Sequence, residues 1–206
     1  MEELQLNWYA LKIFFNKVFE IEEMLERMEV ETYLPVLKKE LKGQERMLAA
    51  RRLDRNPEKP DRRYLRYGPL IFQREPIMSS LIFVHTDAQT IVKVGEELKG
   101  DPEINNPKGF VYRTADWKQY CIIPDHQMCV FRRVVESGVD GLEFFADDDI
   151  TRFRQGDRVR VKEGPLRGAE GYIRRIHKNR RLLVSIDGVI AVATSYIPPE
   201  NLEKVQ

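Results

Sequence analysis

The chain has 206 residues, 42% of them hydrophobic and 33% charged, with 34 Lys and Arg against 33 Asp and Glu for a formal charge of +1; this allows one large domain or two small ones and excludes a disordered or collagen-like chain. Apolar runs such as Leu81 to Val84 and Leu182 to Val184 are far shorter than the ~20 residues of a membrane helix. The neutral total hides an asymmetry, because residues 1 to 151 hold 22 basic and 27 acidic side chains, net −5, while residues 152 to 206 hold 12 and 6, net +6.

Leu6 to Phe14 alternates around Trp8, Ala10 and Lys12 against Tyr9, Leu11 and Ile13, which predicts a strand. A helix follows, with Asn16 as its expected cap and Val18, Ile21, Leu25 and Met28 on one stripe. Thr32 to Leu37 returns to strand character, placed at an edge or bulge by Pro35. Lys42 to Arg66 holds nine basic and four acidic residues with Pro57 and Pro60, and reads as an exposed basic insertion in which Glu45 to Leu53 forms a short helix. Leu70 to Arg74 and Leu81 to Thr86 read as a hairpin joined through Pro76 to Ser80. Asp87 is the expected cap of a helix carrying Ile91, Val94 and Leu98 on one face and closed by Gly100. Phe110 to Arg113 is a further strand, Tyr120 to Ile123 a weaker one, and Asp125 caps a last helix that packs Met128, Phe131 and Val135. Strands interrupted by helices predict an α+β sheet with helices on one face, as in ferredoxin-like folds.

Gly138 to Thr151, with two glycines and Asp147-Asp148-Asp149, reads as a linker. From Phe153 the helical period disappears. Val159 and Val161 alternate with Arg158, Arg160 and Lys162; Gly164-Pro165, Gly168 and Gly171 punctuate; Tyr172 to Ile176, Leu182 to Ile186 and Val189 to Ala193 supply further strands. Short strands with closely spaced turn residues predict a small β-barrel, with hairpin turns at Asn179 and Gly188. The expected layout is residues 1 to 137 as the first domain, 138 to 152 as linker and 153 to 206 as barrel. The β-branched residues and glycines of the last part, with Pro165, oppose a helical form of the barrel.

Two stretches resemble the NusG family of transcription factors. Gly156-Asp157-Arg158-Val159-Arg160-Val161-Lys162-Glu163-Gly164-Pro165-Leu166-Arg167-Gly168-Ala169-Glu170-Gly171 is similar to the family's KOW motif. Trp8-Tyr9-Ala10-Leu11 is similar to its opening strand, and Glu75-Pro76-Ile77-Met78-Ser79-Ser80-Leu81-Ile82-Phe83-Val84 to its central hairpin. A KOW motif also occurs in ribosomal proteins; the upstream strand and hairpin narrow the resemblance. The family usually carries Phe-Pro-Gly-Tyr or a near variant in the hairpin, where this chain has Met78-Ser79-Ser80-Leu81. That departure and the insertion suggest a specialised paralogue resembling RfaH and the capsule-operon antiterminators.

The resemblance implies a ferredoxin-like N-terminal (NGN-type) domain joined to an SH3-like KOW barrel. It implies an elongation or antitermination factor that binds RNA polymerase and suppresses pausing or termination, with a barrel that recruits a further protein or RNA, such as Rho or the ribosome. Met78, Leu81, Phe83 and Phe110 are the implied contacts to the polymerase clamp helices. Strand alternation puts Leu81 and Phe83 on one face and Ile82 and Val84 on the other, so a place in the core competes with docking. Leu166 is the implied partner contact of the barrel. Arg51, Arg52, Arg62, Arg63 and Arg66 are candidates for phosphate contacts with DNA or RNA, with Tyr64 and Tyr67 available for stacking, and a solvated loop competes with that reading. Arg158, Arg160 and Lys162 are candidates for holding RNA, or else form a solvated strand face.

Two other functions compete: a ribosome-associated KOW-type RNA-binding protein, and a nuclease using Asp147 to Asp149. Catalysis finds little support, since His85, His126 and His177 fall in different elements and no nucleophile motif or phosphate loop occurs. No enzyme activity, cofactor or metal is expected. The two cysteines, Cys121 and Cys129, are too few for a disulfide framework or zinc site and are expected to be small buried apolar residues. The start Met1-Glu2-Glu3-Leu4 lacks the basic and apolar regions of a signal peptide, so a cytoplasmic location without membrane contact is expected.

Overall fold

The computed structural model describes residues 5–101, 103, 106–114, 116–146, 156–176, 179–186 and 188–205. The chain forms two compact units, one of Leu11–His85 with Gln89–Val111 and one of Met1–Ala10, Thr86–Ala88 and Tyr112–Gln206. The strands β1 (Asn7–Ile13), β2 (Glu31–Tyr33), β6 (Leu81–Thr86) and β7 (Gly109–Val111) form a sheet in the order β2-β6-β1-β7. With α1 (Val18–Arg27) after β1 and α3 (Ala88–Lys99) after β6, this is the ferredoxin-like arrangement of split βαβ units. No helix among the described residues is long and apolar enough to cross a membrane.

In the first unit, α1 buries Val18, Ile21 and Leu25, and α3 buries Ile91, Val94 and Leu98, each on one helical stripe. Asn16 does not cap α1. Phe15 and Asn16 both have positive φ, 57° and 55°, and Lys17 precedes the helix without a side-chain cap. Gly100 does end α3, at φ 70°, where a Cβ would overlap the Asn106 carbonyl.

The stretch expected as one strand across Thr32 to Leu37 is divided. β2 ends at Tyr33, and β3 (Val36–Glu40) belongs to a separate sheet of order β3-β5-β4 with β4 (Tyr64–Tyr67) and β5 (Leu70–Pro76). The expected hairpin is corrected for the same reason: β5 pairs with β3 and β4, whereas β6 pairs with β2. The basic insertion is therefore folded. Its helix α2 (Gly43–Arg55) packs Ala49 and Leu53 against Leu41 and Ile71, with Tyr64 at the edge of this small core.

In the second unit, Tyr112 donates its backbone N–H to the Ala10 carbonyl and Ile123 to that of Trp8, so the weak strand expected at Tyr120 to Ile123 is reduced to isolated bridges. Helix α4 (Asp125–Glu136) buries Met128, Phe131, Val134 and Val135. Asp125 is its first residue, and Pro124 stands at the cap position. Cys129 is exposed and Cys121 half-buried, against the expectation of burial, because Cys129 is turned about 100° from Met128 around the helix.

The same unit holds a six-stranded sheet in the order β13-β9-β10-β11-β12-β8, made of β8 (Glu143–Ala146), β9 (Arg158–Val161), β10 (Glu170–Ile176), β11 (Asn179–Ile186), β12 (Ile190–Tyr196) and β13 (Leu202–Lys204). This is the SH3-like barrel, in the β form. Its strands begin earlier than the sequence suggests, since β8 pairs Phe144 with Val192 and Phe145 with Ala191. Both faces of β11 and β12 are apolar: Leu182, Val184 and Val192 are buried, and Leu183, Ala191 and Ala193 cluster with Ile176 and Phe145. Gly188 turns at φ 77°, while Asn179 is a strand residue paired with Ile176. Helix α4 packs on β11 and β12, and Arg133 donates to the Arg167 carbonyl at 3.2 Å. Asp147 to Asp149, read as a linker or metal site, lie outside the described residues.

Candidate functional site

Leu81 and Phe83 are 2% and 0% exposed. They are core residues, so the exposed docking patch expected of them is not formed. The reason is topological: β6 is an interior strand with Leu81 to Val84 buried on both faces. Alternation leaves one face free only when a sheet is covered on one side. Met78, in the turn before β6, is half-buried, and its carbonyl accepts from the Leu81 N–H at 3.3 Å.

Phe110 is 39% exposed and belongs to an aromatic cluster the sequence reading missed. Its ring meets that of Phe14 edge-on at 5.9 Å, and Phe14 meets Phe15 edge-on at 6.2 Å. Phe15 is 71% exposed. The backbone holds the cluster beside the Met78–Ser80 turn, because Ile13 N–H donates to the Ser80 carbonyl, Lys12 Nζ to Ser80 Oγ at 3.0 Å, and Phe14 N–H to the Lys108 carbonyl. Gly109 permits this approach, since a Cβ there would overlap the Lys12 carbonyl. Two successive non-glycine residues in the left-handed region cost on the order of 1 kcal/mol each. The strain presents a large aromatic ring to solvent, where it contributes nothing to the core. The signal in the sequence was the run Ile13-Phe14-Phe15 continuing past the point where the strand has to turn.

The inserted sheet with α2, residues 36 to 76, carries 12 basic and 6 acidic residues, net +6. Most of the arginines predicted as phosphate ligands are engaged internally. Arg62 pairs with Glu26 and Glu22, Arg63 with Asp61, Arg66 with Asp54, and Arg52 donates to the Tyr64 hydroxyl at 3.0 Å. The hydrogen bonds from Arg63 hold the Asp61 carboxyl below the usual aspartate range. Arg51 makes no ion pair among the described residues, and Arg46 and Arg55 on the same helix share that condition.

On the barrel, Arg158 and Arg160 point outward beside the inward Val159 and Val161, as the alternation predicts. Both bind Glu170: Arg160 Nη2 lies 2.7 Å from Oε1 and Arg158 Nη2 3.0 Å from Oε2, while Arg160 also reaches Glu203 at 3.3 Å. The Glu170 carboxyl is held below its ordinary value by the Arg160 hydrogen bond. Lys162 is exposed. Leu166 is 4% exposed, so it does not offer the partner contact expected at this turn. Among the described residues no three His, Cys, Asp or Glu side chains converge as a metal site.

The family described as transcription termination factor NusG matches residues 6–132 of the chain. The chain belongs to the NusG family. It is accordingly a transcription factor with a role in elongation and termination, and NusG-family proteins bind RNA polymerase. A solved structure titled "Domain interaction in Thermotoga maritima NusG" is similar over 98% of this chain and 98% of that one, at 14% identity and a TM-score of 0.45. No curated protein matches the chain significantly.

Proposed function

We propose that this NusG-family chain is a specialised antitermination factor that docks on the clamp helices of RNA polymerase through Phe110, Phe14, Phe15 and the Met78 turn and suppresses pausing or termination. The observation that carries this reading is the strained, exposed aromatic cluster at the end of β1 and β7. A solvent-facing patch of this kind is an aggregation hazard unless a partner covers it, and rings at 4.5–7 Å spacing suit the groove between two helices. A bound domain that prefers the closed clamp shifts the polymerase toward that state.

Residues 1 to 137 act as the polymerase-binding domain and 153 to 206, whose sheet takes in β8 from the 138 to 152 segment, as a recruiting domain on the same chain, which raises the local concentration of the recruited partner. Because Glu170 and Glu203 neutralise Arg158 and Arg160, a protein such as Rho or a ribosomal component suits the barrel better than bare RNA. The exposed Lys162, Glu163 and Pro165 replace Leu166 as its contact. The inserted module supplies phosphate contacts through Arg51 and its helix neighbours.

Co-purification with polymerase, followed by run-off transcription across a defined terminator, tests the reading. Retention of polymerase and increased read-through are expected. Recovery of ribosomal subunits without polymerase would favour a ribosome-associated RNA-binding role instead.

A further inference from the structure

Register and alternation divide the inserted three-stranded sheet into two faces. Pairing sets Tyr64 opposite Gln73 and Arg66 opposite Ile71, and these residues face α2, where Ile71 and Tyr64 join the small core and Arg66 reaches Asp54 and the Ala50 carbonyl. Leu65 opposite Phe72 and Tyr67 opposite Leu70 therefore occupy the other face. Arg74, further along the same face, is bound to Glu22 of α1, so one end of that face is anchored. The other end is open. Tyr67 is 56% and Leu70 41% exposed, and the Phe72 ring props that of Tyr67 edge-on at 5.9 Å.

The geometry points to this open face as a stacking platform for single-stranded nucleic acid. The reading deepens the phosphate contact proposed above for the inserted module and rests on it. Charge selects the occupant: residues 36 to 76 carry net +6, whereas residues 1 to 35 and 77 to 151 together hold 10 basic and 21 acidic side chains, net −11. A polyanion is drawn to the module and repelled by the charge of that remainder. The edge strand β4 joins the two kinds of group, with Tyr67 on the open face and Arg66 next to it on the helix side. The exposed Arg66–Asp54 pair is weak enough to be exchanged for a phosphate. On the open face itself the exposed Lys38 stands opposite Arg74 and Glu40 opposite Phe72, while Arg51 and Arg55 lie on α2 across the sheet, where a strand passing around the β4 edge meets them. A duplex offers phosphates but keeps its base faces stacked inside, whereas a single strand has faces free to lie on Tyr67. The platform therefore prefers single strands.

The test uses the full chain and fluorescence anisotropy with a labelled 15-nucleotide oligothymidine and a 15-base-pair duplex. Wild type is expected to bind the single strand more tightly than the duplex. Tyr67→Ala should weaken single-strand binding about tenfold and leave duplex binding within twofold, while Tyr67→Phe restores the wild-type value. Arg51→Glu with Arg55→Glu should weaken both. Because Tyr67 is mostly exposed, its variants are expected to keep the wild-type circular dichroism and Tm. Equal single-strand affinity for wild type and Tyr67→Ala, or a preference for duplex, would overturn the platform while leaving the phosphate contact standing. No binding of either oligonucleotide would overturn both. Concentration-dependent self-association abolished by Tyr67→Ala would overturn the platform in favour of a second copy of the chain.

Discussion

Arg74 and Glu22 meet in a bidentate ion pair, Nη1 to Oε2 at 2.8 Å and Nη2 to Oε1 at 2.6 Å, with the guanidinium 5.1 Å from the centroid of the Phe19 ring. Arg62 reaches the same carboxylate at 3.6 Å, and Lys59 binds the adjacent Glu23. Through these contacts β5 and the segment before β4 are fastened to α1. Both partners of the central pair are nearly buried, so removing one strands the other's charge in a poorly solvated place. Glu22→Ala is expected to lower stability by roughly 2–4 kcal/mol, while Glu22→Leu with Arg74→Met recovers most of that loss. Urea unfolding of the single and double variants measures this, and equal losses for both would show that the pair's charge is not what matters.

Phe83 and Phe110 separate folding from docking. Phe83→Ala should cost about 3–5 kcal/mol, because a fully buried ring leaves a cavity. Phe110→Asp should leave Tm nearly unchanged and reduce polymerase retention at least tenfold, since a carboxylate loses its hydration in an apolar groove. Thermal melts paired with polymerase pull-downs check both halves. Normal retention by a folded Phe110→Asp variant would move the docking surface elsewhere.

Gly171 is a packing requirement of the barrel. Its backbone passes so close to β11 that a Cβ would overlap the Leu183 carbonyl and approach the Leu182 side chain. Gly171→Ala is expected to destabilise the barrel by about 1–3 kcal/mol, whereas Gly164→Ala, with open space around its Cβ, meets only the cost of its positive φ. NMR resonances of Val159 and Val184 report the barrel directly and should broaden or shift only in the first variant.

Acid should weaken the barrel through Glu170. Its folded carboxyl titrates below the ordinary value of 4.5 because Arg160, and then Arg158, favour the charged form. The unfolded chain then binds a proton at higher pH than the folded one, so the stabilisation is complete above pH 4.5 and is lost as pH falls through the lowered folded value. The Tm difference between wild type and Glu170→Gln should therefore be constant at neutral pH and shrink on acidification below 4.5. A difference that persists unchanged to pH 2.5 would contradict the coupling.

Local pattern determined much of this protein by itself. The stripes of α1, α3 and α4, the alternation of Arg158, Val159, Arg160 and Val161, and the glycines at 100 and 188 were legible because each reflects backbone geometry within a few residues. Pairing was not legible. Leu70 to Pro76 and Leu81 to Thr86 look like a hairpin because they are adjacent and apolar, but which edge each strand finds depends on partners distant in sequence: β3 across an entire helix for one, β2 for the other. That choice turned a presumed loop into a folded module with its own core, made Leu81 and Phe83 interior residues and tied Arg62, Arg63 and Arg66 into ion pairs. Hydrophobicity marks a residue for burial or for binding in the same way. Only the tertiary arrangement decides between them, since it determines which apolar faces are covered by the chain itself and which, like those of Phe15, Phe110 and Tyr67, are left to solvent.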